Sequence, residues 1–271
     1  MTRLLQPNGA RSSVVIHPAL APYVREISIH PQPSLQGSAL GSIASSYRVL
    51  PGLAPVIGFQ FCGRLSVRRD GRLQLLGRSG ITGFQSTVRW FVPEAETRSI
   101  IVRLAPFGGY ILLGQAMDEI ADQHVALDHL LPGVGSIEDE LQALESRQTV
   151  ERIQSWLLQR VASRTRDVDS DVVAALRLMT ATGGRERIGV ISKEIGTYRR
   201  RLERLFKVQV GVGPKEFASL MRFNQVIREV GQSSWADIAL DAGYADQAHF
   251  IRDFKRRTGM TPTEFRCRKD D

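Results

Sequence analysis

Cysteine is almost missing from this chain. Its two cysteines, Cys62 and Cys267, stand far apart, and neither has a second Cys or a His at ligand spacing. That excludes a disulfide framework and a zinc site, and two reduced thiols in a reducing compartment are the expected state. Long apolar runs are missing as well, since nothing approaches the roughly 18 residues of a membrane span. The opening MTRLLQPNGARSSVV lacks the apolar centre of a signal peptide. A cytoplasmic location with no membrane partner is expected.

Catalytic groupings are equally scarce. His17, His30, His124 and His129 are scattered. Only the last two are close, and five residues along a helix separates side chains by about 140°, so no shared metal is expected. GRSGITG (77–83) has glycines but neither the spacing nor the lysine of a phosphate loop. Glu94 and Glu96, beside Pro93, read as a solvated rim rather than an acid–base pair. No convincing nucleophile–base arrangement is seen. No catalytic residue, cofactor or metal is therefore assigned, and the chain is not expected to be an enzyme.

The 271 residues, 42% apolar and 24% charged, suit an ordinary globular protein of two domains or one large one. Charge is uneven along the chain. Residues 183–271 hold 18 Lys and Arg against 12 Asp and Glu, a balance of +6, whereas the other 182 residues hold 18 against 16, only +2. A basic C-terminal third on a nearly neutral body suits a polyanionic partner; a basic surface kept for solubility is the alternative.

Residues 1–45 are rich in Pro, Ser and Gly, with breaks at His17-Pro18, Ala21-Pro22 and Pro31/Pro33. Short β-like runs follow: Tyr47–Leu50, Pro55–Cys62, Leu65–Arg69, a turn at Asp70-Gly71 into Arg72–Leu76, then Val88–Val92 and Ser99–Ala105. They predict a small antiparallel sandwich or barrel. After Pro106 the period turns helical, with short pieces at Phe107–Leu113 and Met117–Ala121. A helix over Ser136–Leu144 is expected to be capped by Ser136. Thr149–Ala162 and Asp169–Thr182 carry apolar stripes at helical spacing that could cover the β domain or mediate dimer contacts.

The C-terminal third contains one internal repeat. Ile191–Gly196 corresponds to Ile238–Gly243 at an offset of 47. Leu202, Phe206, Gly211 and Pro214 correspond to Phe250, Phe254, Gly259 and Pro262 at an offset of 48. Each unit reads as a helix, a turn at a glycine (Gly196, Gly243), and a second helix locked by an i,i+4 apolar pair. Ser192 and Ala239 are small enough to let the second helix cross close by. Left outside are Arg199, Arg200, Glu203 and Arg204 on the first unit, and Gln247, His249, Arg252 and Lys255 on the second. Such side chains reach base edges and phosphates. Pro214–Val230 joins the units as a linker helix, which would let the two helices enter major grooves about 10 bp apart. Trp235 reads as a core residue.

Residues 188–266 resemble the DNA-binding domain of the AraC/XylS family of bacterial transcription regulators. ADIALDAGYADQAHFIRDFKRRTGMTPTEFR follows that family's signature, and ISKEIGTYRRRLERLFKVQVGVGP also fits, departing at Tyr198, where the family usually has a capping serine. The resemblance implies that Arg200, Glu203 and Arg204 take base-facing places on the first recognition helix. It places Gln247, Ala248, His249 and Arg252 likewise on the second. The stretches HPALAPYVREI (17–27), YRVLPG (47–52) and RLAPFGGYILLG (103–114) are similar, more loosely, to uncharacterised β-rich sensor domains that precede this module. Those domains commonly show an Asp after the Leu-Pro. This chain has Gly52-Leu53-Ala54-Pro55 there, so a ligand role for that Asp is not carried over.

The expectation is an α+β chain. Residues 1–165 form a β-rich sensor or dimerisation domain with a helical end, and 166–271 a tandem helix-turn-helix domain that reads double-stranded DNA. A small-molecule effector, RNA polymerase and a second copy of the chain are candidate further partners. Two rival readings are an enzyme whose N-terminal domain does chemistry and whose basic domain merely localises it, and a constitutive binder whose N-terminal domain only dimerises or meets another protein.

Overall fold

Alternation of apolar and polar residues in the first half builds two antiparallel sheets in the computed structural model, which describes residues 14–30, 46–69, 71–94, 97–231 and 234–267. The strands are β1 (Val24–His30), β2 (Tyr47–Val49), β3 (Val56–Cys62), β4 (Leu65–Arg69), β5 (Arg72–Leu75), β6 (Ser79–Thr82), β7 (Arg89–Pro93), β8 (Arg98–Leu104) and β9 (His124–Ala126). A five-stranded sheet runs β1-β8-β3-β6-β9, and a four-stranded one runs β2-β7-β4-β5. The six strands expected from the sequence form within a residue or two of their expected ends. Asp70, of the expected turn, and Glu96 lie outside the described residues.

Three strands had no sequence expectation. β1 emerges from the Pro-rich opening because Ile27 and Val24 bury against the sheet once it pairs along β8. β6 lies in the glycine-rich stretch 77–83, where Gly80 faces Ala126 of β9. A Cβ on Gly80 would collide with the His124 ring, so the glycine admits that side chain. His124 and His129 do not share a helix: the first is in β9 and the second in a short 3-10 turn, Leu127–His129. Among the described residues no group of His, Cys, Asp and Glu gathers as it would around a metal.

The covering helices are α1 (Gly108–Leu113), α2 (Val134–Ala143) and α3 (Ser146–Ala162). Ser136 is not the cap of α2. Gly133 takes that place, and the Ser136 hydroxyl donates back to its carbonyl at 2.9 Å. Ile137, Leu141, Ile153 and Leu157 bury against the five-stranded sheet. Trp156 stands edge-on to Phe59, ring centroids 5.5 Å apart.

The next helix, α4 (Ser170–Ala181), covers no sheet. Its Val172, Leu176 and Met179 join a second core made with the helices that follow. Those are α5 (Ile188–Glu194), α6 (Arg199–Val210), α7 (Pro214–Glu229), α8 (Trp235–Asp241), α9 (Gln247–Thr258) and α10 (Pro262–Cys267). The β region reaches this core through Phe84, whose ring lies 5.8 Å from Phe217.

His124 sets a pH dependence of the β region. Burial, then the nearby Arg89 charge, push its pKa from 6.5 down to about 4, so the fold holds the ring neutral. The resulting stability is present above pH 6.5 and is lost as pH falls towards 4, by up to about 3 kcal/mol. Urea unfolding should show a stability loss between pH 7 and 5 that shrinks in His124→Gln.

Candidate nucleic-acid interface

Two units, α5–α6 and α8–α9, are built alike. Gly196 and Gly243 turn the chain at φ +73° and +75°, in the left-handed region that a side chain would oppose. The amide after each glycine reaches back to the residue five before it: Thr197 N–H to Ser192 at 2.9 Å, and Tyr244 N–H to Ala239 at 3.0 Å. Ser192 and Ala239 are buried at the helix crossings, and Leu202, Phe206, Phe250 and Phe254 are wholly buried. Gly211 and Gly259 end α6 and α9 in left-handed conformation. The duplication seen in the sequence is thus a duplication of backbone geometry.

The starts of the two second helices differ. Asp246 caps α9 by accepting the His249 N–H at 2.7 Å. Tyr198, at the corresponding place on α6, makes no side-chain cap and is 85% exposed. The neighbouring Thr197 hydroxyl instead donates to Asp171 at 2.7 Å, and Arg201 binds Asp169 and Asp171 at 2.7 and 3.0 Å. These bonds fasten the start of α6 to α4.

The linker α7 packs on both units through Phe217, Leu220, Phe223, Val226 and Ile227. Trp235 packs against Phe250 and Phe254 at 5.8 and 5.6 Å, as a core residue does.

One basic residue of the second unit is turned inward. Arg257 is 0% exposed. It donates to both Asp253 oxygens at 3.2 and 3.0 Å, to Glu216 at 3.1 Å and to Ser219 at 2.9 Å. The Tyr244 hydroxyl donates to Asp253 at 3.0 Å. Burial works against an ionised Asp253, but the Arg256 hydrogen bond and the Arg257 charge outweigh it and hold the pKa below the usual carboxylate value. Burial and then the Asp253 charge push the Tyr244 phenol upward.

All nine side chains expected to face DNA lie on the outer sides of α6 and α9, exposed except for the half-buried Glu203. Arg199 and Glu203 bind each other at 2.9 Å. Glu203 and Arg204 from α6, with His249 and Arg252 from α9, line one cleft of about 1060 Å³ floored by the first half of α7. Arg199, Arg200, Gln247, Ala248 and Lys255 do not line it. Two lysines that sequence reasoning passed over do: Lys207 on α6 and Lys215 on α7. Lys207 could have been found from its place seven residues after Arg200, on the same helix face.

Comparison with known proteins agrees on this region. Residues 191–268 match a family described as a helix-turn-helix domain. This C-terminal segment is a helix-turn-helix domain. The HTH-type transcriptional regulator ExsA of Pseudomonas aeruginosa is 31% identical over 88 residues, and the virulence regulon transcriptional activator VirF of Yersinia enterocolitica 29% identical over 86. Each alignment spans only 31% of this chain and 31% of the relative. Among solved structures, ToxT of Vibrio cholerae aligns over 89% of this chain and 97% of its own at 14% identity, with a TM-score of 0.47. A transcriptional regulator of Chromobacterium violaceum with an AraC-type DNA-binding domain aligns over 36% of this chain and 91% of its own at 27% identity, with a TM-score of 0.34. Among the described residues no helix is long and apolar enough to cross a membrane.

The uncapped start of α6 gives a direct stability test. Tyr198 is too exposed to lose packing when replaced, so Tyr198→Ser should gain a cap and about 1 kcal/mol, measured by urea unfolding at neutral pH.

Proposed function

We propose that this protein is a sequence-specific DNA-binding transcription regulator and not an enzyme. Residues 166–271 read DNA through α6 and α9 in successive major grooves, and residues 1–165 modulate that reading. The observation that carries the proposal is the duplication itself: two units of matching geometry, joined by one helix, turn exposed polar faces to a common cleft. Arg199, Arg200, Glu203 and Arg204 act from the first helix, and Gln247, Ala248, His249, Arg252 and Lys255 from the second. Arginine can bond guanine bidentately, whereas Ala248 offers only an apolar contact to a thymine methyl.

Modulation through the N-terminal body is supported by its contacts with both units. At the first unit, Gly211 lies against the Met117 backbone. At the second, the Val88 N–H donates to the Arg257 carbonyl at 2.7 Å. The linker is held too, since the Asn224 amide donates to the Pro51 carbonyl at 3.3 Å. A ligand that favours one arrangement of the body therefore biases the placement of both reading helices. A small-molecule effector, RNA polymerase and a second copy of the chain are the further partners of this reading, in the cytoplasm. The division at 165/166 is supported by the cores: α3 buries its stripe on the five-stranded sheet, and α4 buries its own among the helices.

Arg204→Ala and Arg252→Ala should each weaken binding to the preferred duplex by about 1–3 kcal/mol and relax base choice at one position. Fluorescence anisotropy on the preferred and single-substituted duplexes measures this. Equal loss on every sequence would make these arginines phosphate contacts instead.

A further inference from the structure

We infer that Lys207 and Lys215 form a clamp for the sugar-phosphate backbone that crosses the cleft between the two reading helices. This rests on the DNA-reading proposal above and adds a site of different chemistry to it.

The charges in the cleft divide into two sets. Its three carboxylates are already satisfied within the chain. Glu203 is held by Arg199, Glu216 by Arg256 and Arg257, and Asp253 by Arg256, Arg257 and Tyr244. By contrast, Arg204, Lys207, Lys215 and Arg252 all line the cleft, are exposed, and make no ion pair among the described residues. The acids are neutralised locally, whereas these four exposed cations are not, and neither is Arg222 of the same lining, half-buried and donating only to the Gly184 carbonyl, so the cleft presents net positive charge to whatever occupies it.

Geometry selects the occupant. Two helices in successive major grooves have a minor groove and its bordering strands between them, and the cleft lies between α6 and α9. A strand crossing there brings phosphates to its floor. Lys215 stands on the linker, on neither reading helix, at the floor of the cleft. Lys207 lies one turn beyond Arg204 on the same face of α6 and lines the same cleft. A lysine ammonium is a compact point charge on a flexible stem, suited to phosphate at variable distance rather than to bidentate base reading.

The test is the salt dependence of binding by the full chain. Lys207→Gln, Lys215→Gln and the double variant are titrated against the preferred duplex and an unrelated duplex from low to high salt. The slope of log K against log salt should fall in magnitude by about 0.9 for each lysine removed. Affinity should drop by the same factor on both duplexes, with base preference unchanged. Both side chains are exposed, and circular dichroism melts identical to the parent's would confirm an unchanged fold. Parental slopes in variants of a chain that binds DNA would overturn the clamp while leaving the reader intact. A loss confined to the preferred duplex would make the lysines base readers and also overturn it. Failure of the parent chain to bind any duplex would overturn the reading beneath the clamp as well.

Discussion

The buried guanidinium of Arg257 is the constraint on which the placement of α9 depends. It sits on α9, yet its bonds run to Asp253 on the same helix, to Glu216 and Ser219 on the linker, and to the Ser86 carbonyl of the β region at 3.4 Å. Its own carbonyl accepts from Val88. Three parts of the chain that must hold fixed relative positions meet at one side chain. A buried charge is costly unless every donor is satisfied, and removing one partner of such a pair costs about 3–5 kcal/mol. The arrangement therefore stabilises little in net, but it penalises any other placement of α9 against α7.

The first unit is positioned by different means. Arg201, Thr197, Asp169 and Asp171 tie the start of α6 to α4 through exposed polar contacts, which are individually weak and screened by salt. The far end of α6 buries Val210 and brings Gly211 against Met117. Thus α9 is set by a buried ionic node and α6 by apolar packing at its end with an uncapped beginning. The linker α7 is common to both, and its apolar face makes the separation between them a property of the fold rather than of a flexible tether.

Much of this was legible in the sequence because it is local. The repeat, the turn glycines, the i,i+4 apolar pairs and the proline starts of α7 and α10 all lie within short windows, and each is dictated by backbone or helix-face geometry. The strands from β2 to β5, with β7 and β8, were legible for the same reason. What escaped depends on distant partners. β1, in the Pro-rich opening, gave no strand signal because β8 supplies its pairing, and neither did the glycine-bearing β6, where His124 explains Gly80. Asp253 and Arg257 drew no expectation, since nothing in the sequence says that α7 brings Glu216 to them. Lys215 gave no signal because its neighbours in the cleft come from two other helices. The count of basic residues also overstated the free charge, because Arg201, Arg256 and Arg257 spend theirs on internal carboxylates.

The central claim is that two rigidly spaced helices read DNA as one unit. Selection of bound duplexes from a random pool by the full chain tests it most directly. The account predicts two short motifs whose centres are about 10 bp apart at fixed spacing. A single short motif, or two motifs at freely varying separation, would contradict it.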